Sequence, residues 1–219
     1  AGALGKEEYK EMHKAISRDC ITLVKYKDRD VLPITPERYK RIMIVHVKGA
    51  ESGMGMLMKA MGMGGGKNPA EMLKERLCEK GFDAFIYESP LDAMKKQIAA
   101  GEKPNINLYF AGKNAIDDFV SGMDLVITLC DVSSGRPSFG LSKGGGEIPW
   151  YVFELPVVVI GCGQPTMLAD VPQARTYINT YDAKPATFDA LVDDLMAGPD
   201  AFKGRDPIDS FCGLFDARL

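Results

Sequence analysis

Unbroken apolar runs alternate with spaced apolar stripes along this chain. The clearest run is Leu155 to Pro165, Leu-Pro-Val-Val-Val-Ile-Gly-Cys-Gly-Gln-Pro. Its β-branched centre offers water no polar face, which predicts a strand covered on both sides, as in a parallel sheet flanked by helices. Pro156 suits the first position of such a strand, and Gly161, Gly163 and Pro165 end it in a turn. Arg41 to Val47, Phe82 to Tyr87 and Asp124 to Cys130 are further strands of this kind. Between them run helical stripes. Tyr9, Met12 and Ile16 recur at i, i+3 and i+7 within Lys6 to Ser17, the mark of an amphipathic helix. Asn68-Pro69-Ala70-Glu71 supplies an N-cap, a proline at the first helical position and an early carboxylate. Ala70, Leu73 and Leu77 then face the core, and Lys80-Gly81-Phe82 is the stop. Ser89-Pro90-Leu91-Asp92 opens a second such helix, with Leu91, Met94 and Ile98 as its buried stripe and Gly101 as its end. Phe188, Leu191, Val192 and Leu195 form the last stripe, stopped by Gly198-Pro199.

Strand and helix alternate as in βαβ units, which burial and handedness turn into a parallel sheet. The expected architecture is therefore a single α/β domain over residues 1–219. It is a three-layer α/β/α sandwich with a mostly parallel sheet of about five or six strands, Rossmann-like or flavodoxin-like. Arg41 to Val47 is its expected first main strand. Ile21 to Lys25 is a short extended piece before a charged turn, Arg175 to Tyr181 is rich in Thr and Tyr, and Asp200 to Leu219 is irregular. Two connections are long. Gly49 to Gly66 mixes five methionines with glycines, and Asp131 to Glu154 carries five glycines without a helical stripe. Loops of that length are usually functional or covered by a partner, and flexible thioethers mould against apolar surfaces.

Charge narrows the partners. The 27 Lys and Arg against 30 Asp and Glu leave a net charge of -3, no field to gather nucleic acid or anionic membrane. The five cysteines are dispersed, with no Cys-x-x-Cys, which argues against a disulfide framework or zinc site and for a reducing, cytoplasmic compartment. No run approaches the roughly 18 apolar residues of a membrane helix, and Ala1 to Lys10 is too polar for a signal sequence.

Motifs for a cofactor fail on spacing. Gly49, Gly53 and Gly55 do not form the dinucleotide fingerprint. Before Lys67, Met61 stands where a phosphate loop needs glycine, and Asn68 where it needs Ser or Thr. No cofactor or metal is expected. His46 inside its strand reads as structural, and Ser133 and Ser134 lack a nucleophile-elbow setting. Asp131 and Glu147 are the acids of the long loop. Arg136, Lys143 and Glu147 are placed to contact a polar ligand, with Trp150 as a platform for a sugar ring; alternatively Trp150 and Tyr151 pack against the sheet or a partner domain. No complete catalytic set emerges.

Several segments together resemble a known family. Ala15 to Lys25, followed by Val31-Leu32-Pro33-Ile34, is similar to the opening of the C-terminal domain of family 3 glycoside hydrolases. Glu147 to Val152, Leu155 to Val159, Gln164-Pro165 with Leu168 to Pro172, and Thr176 to Tyr181 resemble the second half of that domain in the β-N-acetylglucosaminidase (β-hexosaminidase) branch. Phe202 to Asp209 resembles its closing region. The resemblance implies an accessory domain beside an N-terminal (β/α)8 barrel of the same polypeptide, in an enzyme that hydrolyses terminal N-acetylhexosaminides. In that family the barrel carries the nucleophilic aspartate and, in this branch, the histidine and aspartate that handle the proton. The barrel is absent from this chain. A retaining mechanism needs two groups flanking one bond, so the isolated domain is expected to be inactive and to meet carbohydrate only through the full-length enzyme. In the β-glucosidase branch a glutamate from this domain reaches across as acid/base. Glu147 lies in the comparable interval, although its Glu-Ile-Pro-Trp setting departs from that pattern. The alternative reading is an independent small-ligand-binding module of flavodoxin-like shape.

Overall fold

The computed structural model describes residues 7–28, 30–48, 68–88, 96–103, 121–131 and 155–205. Helix α1 (Glu7–Cys20) leads directly into β1 (Thr22–Tyr26). Strand β2 (Arg41–Lys48), helix α2 (Pro69–Glu79), β3 (Asp83–Ile86), β4 (Leu125–Asp131) and β5 (Val157–Gly161) follow. A 3-10 turn (Pro165–Asp170), β6 (Thr176–Asn179) and helix α3 (Pro185–Ala197) complete the elements that shape the core. The six strands form one sheet in the order β1-β6-β5-β4-β2-β3. All neighbouring pairs are parallel except β1 with β6. The three-layer α/β architecture expected from the sequence is the one observed.

The sheet begins one strand earlier than its long apolar runs indicate. The first strand of the sheet is β1, not Arg41 to Val47: Thr22–Tyr26 pairs antiparallel along the outer edge of β6. Only Thr22 and Val24 of β1 are buried, and Lys25 reaches out to the Pro172 carbonyl at 2.7 Å. A short edge strand bearing a charge lacks the continuous apolar run of a central strand. By contrast, β4 and β5 lie inside the sheet and their apolar residues are buried throughout.

Each face of the sheet has its own core. Ile42, Ile44, Ile127 and Ile160 pack on one face beneath Leu73 and Leu77 of α2 and Phe188 and Leu191 of α3. On the other, Met43, Val126, Val159 and Tyr177 lie beneath Met167 and Leu168 of the 3-10 turn. Helix α2 follows its sequence signals closely. Asn68 Oδ1 accepts from Ala70 N at 3.1 Å, Gly81 takes the left-handed φ of 91°, and Phe82 N donates to Leu77 O at 3.1 Å. Together these satisfy backbone groups that a helix end otherwise leaves unpaired. Lys80 Nζ pairs with Asp193 of α3 at 2.7 Å.

Two apolar stripes lie differently from a buried face. Ile98, expected to be buried, is 57% exposed in the helical turn before Gly101, and its companions Leu91 and Met94 fall outside the described residues. A single exposed isoleucine is ordinary, because a sphere has more surface than polar groups can cover. In α1 the whole stripe faces outward, with Tyr9 46%, Met12 54% and Ile16 54% exposed. That helix is held instead through buried Ser17 and through Arg18, whose Nη2 lies 3.1 Å from Asp194 Oδ1 on α3. No helix among the described residues is long and apolar enough to cross a membrane.

Candidate functional site at the strand switch point

The strand order fixes where a ligand-facing crevice can open. From β2 the chain crosses to β3 on one side and later returns to β4 on the other. The five parallel strands thus follow the order 2-1-3-4-5 of flavodoxin-type sheets, with β1 added at the edge. The crossovers change direction between β2 and β4, the switch point beyond whose carboxyl ends such sheets hold ligands. Both long glycine-rich connections leave from here, one after Lys48 and one after Asp131, residues that lie opposite each other in the pairing of β2 with β4.

At that edge the register brings together two residues far apart in sequence. His46 sits opposite Leu129, and its Nε2 lies 3.7 Å from Asp131 Oδ2. The His46 side chain is only 7% exposed, against 32% for Asp131. His46 Nε2 has no hydrogen-bond partner among the described residues. The reading of His46 as a packed strand residue therefore holds for its burial, but not for a satisfied ring nitrogen. Sequence reasoning named both residues without pairing them. The available signal was that each is at or near the C-terminal end of a predicted parallel strand.

The neighbouring strand ends close the floor of this edge. Cys162 N donates to Cys130 O at 2.8 Å, extending the β4 and β5 ladder past Gly161. Gly161 is required for close approach, since a Cβ there would collide with Tyr177 Oη and lie 2.9 Å from Asn179 Oδ1. Thr180 N and Oγ1 both donate to Gly161 O, at 2.9 and 3.3 Å. Burial pushes both the Cys130 and Cys162 thiols up to about 12. At neutral pH they are therefore protonated and poor nucleophiles, since it is the thiolate that attacks. Among the described residues no group of three or more His, Cys, Asp or Glu side chains could hold a metal ion.

Chemically, the edge offers among the described residues one histidine and one carboxylate without an activated nucleophile beside them. The sequence candidates Glu147, Arg136, Lys143 and Trp150 lie outside the described residues. Their segment begins at Asp131 and ends before Leu155, where Val126 N meets Pro156 O at 3.0 Å.

Similarity to known proteins accounts for this arrangement. A β-N-acetylglucosaminidase/β-glucosidase of Cellulomonas fimi is 29% identical over 223 residues, covering 100% of this chain and 35% of that protein. The solved structure of the β-glucoside phosphorylase BglX superimposes with a TM-score of 0.70 at 27% identity, covering 98% of this chain and 34% of that one. A glycoside hydrolase family 3 β-N-acetylglucosaminidase from Paenibacillus sp. str. FPU-7 shares the fold, with a TM-score of 0.53 at 14% identity over 91% of this chain and 34% of its own. No family model matches the chain. The chain spans about a third of the length of the relatives it matches. Through its whole length the chain is thus similar to the C-terminal region of family 3 glycoside hydrolases, in sequence to two carbohydrate-processing enzymes and in fold to a third.

Proposed function

We propose that this chain is the accessory domain of a two-domain enzyme that hydrolyses terminal β-linked N-acetylhexosaminides, inactive by itself. A (β/α)8 barrel of the same polypeptide supplies the nucleophile. The observation that carries this reading is the match of essentially the whole chain to about a third of proteins named for β-N-acetylglucosaminides or β-glucosides. In this reading residues 1–219 are a single domain, and the connections after Lys48 and Asp131 face the barrel. Arg136, Lys143 and Trp150 then line the approach to the sugar. The cytoplasm, where free thiols persist, is its compartment. An independent small-ligand module has less support, since a match through the whole chain to larger carbohydrate-processing enzymes would then be unexplained.

The test compares chain 1–219 with the native-length polypeptide on an aryl β-N-acetylglucosaminide and an aryl β-glucoside, with and without inorganic phosphate. Turnover is expected only from the longer polypeptide, with the N-acetylglucosaminide preferred and no need for phosphate. Turnover by chain 1–219, or none by the longer protein, would overturn the proposal. Glu147→Gln in the native-length protein separates two arrangements: loss of roughly 10²–10⁴ in rate marks Glu147 as the general acid/base, whereas a small change leaves proton transfer to the barrel.

A further inference from the structure

We propose that the outward face of α1 is the surface on which the rest of the polypeptide, its catalytic domain, docks; this rests on the two-domain reading above. Tyr9, Met12 and Ile16 line one side of the helix and are each about half exposed. Cys20, also exposed, falls eleven residues after Tyr9, about three turns at 3.6 residues each, and so continues the same line. Arg18 is nine residues after Tyr9, two and a half turns, and so points the opposite way. The domain grips α1 away from the apolar line, through buried Ser17 and the partly exposed Arg18. Arg18 Nη2 reaches Asp194 Oδ1 at 3.1 Å, and Asp194 has no exposed surface. Rolling α1 to bury its apolar line would strip a wholly buried carboxylate of its cation, a costly exchange. The line therefore stays outside.

The choice of occupant follows from size and connectivity. Three half-exposed side chains present only a few hundred Å², less than the roughly 600 Å² or more that each partner of a specific contact between separate proteins buries. A second copy of the chain is thus a poor fit. A covalently joined domain is different, because a short connection holds it at an effective concentration on the order of millimolar, and a small contact then suffices. Since the chain corresponds to the C-terminal region of its relatives and covers about a third of them, their remaining polypeptide lies ahead of residue 1. Helix α1, beginning at Glu7, is the element nearest that junction. The exposed pair Glu11 and Lys14, 2.7 Å apart, forms part of a polar rim, so the matching surface is an apolar groove bordered by polar groups.

Alkylation of Cys20 by N-ethylmaleimide, followed by mass spectrometry, reads this contact directly. Cys78, exposed on α2, is the internal reference. Expected is a Cys20 rate about tenfold or more slower in the native-length polypeptide than in chain 1–219, with Cys78 unchanged. The double variant Met12→Lys with Ile16→Lys alters only exposed positions, so chain 1–219 should keep its circular dichroism and melting. In the native-length protein it should return Cys20 to the rate of the isolated chain. Equal Cys20 rates in both wild-type proteins would overturn the proposal, as would protection that grows with the concentration of chain 1–219, which marks a second copy. Glycoside turnover on the same samples separates the two readings: turnover with a reactive Cys20 removes the docking surface alone, and absence of turnover removes the enzymatic reading.

Discussion

Asp194 shows how a single buried charge can tune this domain. It has no exposed surface, and one of its oxygens lacks a hydrogen-bond partner among the described residues. Burial raises its pKa, only partly opposed by the Arg18 guanidinium. A raised folded-state value means the folded protein holds the proton more tightly, so this contribution to stability is full below the unfolded value of about 3.9 and is lost as pH climbs through the folded value. Urea midpoints measured from about pH 4 to 7 should therefore show wild type losing ground to Asp194→Asn as pH rises, then running parallel to it. Parallel curves throughout would remove the charge from the account. At Gly161 the constraint is steric: Gly161→Ala forces a methyl against Tyr177 Oη and should cost about 1–3 kcal/mol in denaturant unfolding. The thiols of Cys130 and Cys162, pushed up to about 12, should resist N-ethylmaleimide in the folded chain and react on unfolding. Rapid native labelling of either would show that the strand ends open.

Elements differ in how openly their sequences announce them. Helix α2 is nearly complete on the page: Asn68, Pro69 and Gly81 each act within a turn of their own position, and such local chemistry is visible without any tertiary information. Asn68→Ala should cost about 1 kcal/mol in urea unfolding, and an unchanged midpoint would mean that packing of Leu73 and Leu77 alone sets the helix. The buried strands β4 and β5 were equally legible, since burial on two faces leaves an unbroken apolar run. Strand β1 was not, because Thr22, Leu23 and Lys25 satisfy an edge rather than a core. Helix α1 had the right period but not the right direction: periodicity gives a stripe, and only the Arg18 to Asp194 contact says which side turns inward. The His46 and Asp131 pair was hidden for a third reason, since register between strands is a long-range property that no local pattern encodes. Glu147, Arg136, Lys143 and Trp150 were singled out from a loop whose described neighbours reach only Asp131 and Leu155, so the sequence remains their main witness.

For the molecule as a whole, the sheet is protected at one edge by the chain's own beginning. Strand β1 covers β6 in an antiparallel pairing, so a chain lacking residues 1–26 would leave the β6 edge bare. Bare edges invite pairing with other chains, and this truncation should give concentration-dependent association in light scattering where chain 1–219 gives none. A monodisperse truncated protein would show that other groups guard the edge. The same corner holds a further consequence. Gly204 N donates to Ile21 O at 3.1 Å, and a Cβ on Gly204 would press on the backbone of Cys20 and Ile21. The outgoing stretch at Gly204 is thus fastened beside the junction of α1 and β1, a closeness of the kind that lets modules tolerate circular permutation. Joining residue 205 back to residue 21 through a short flexible link, and opening the ring elsewhere, would then keep the same sheet. Seen this way residues 21–205 form a closed cassette whose two leads emerge from one socket.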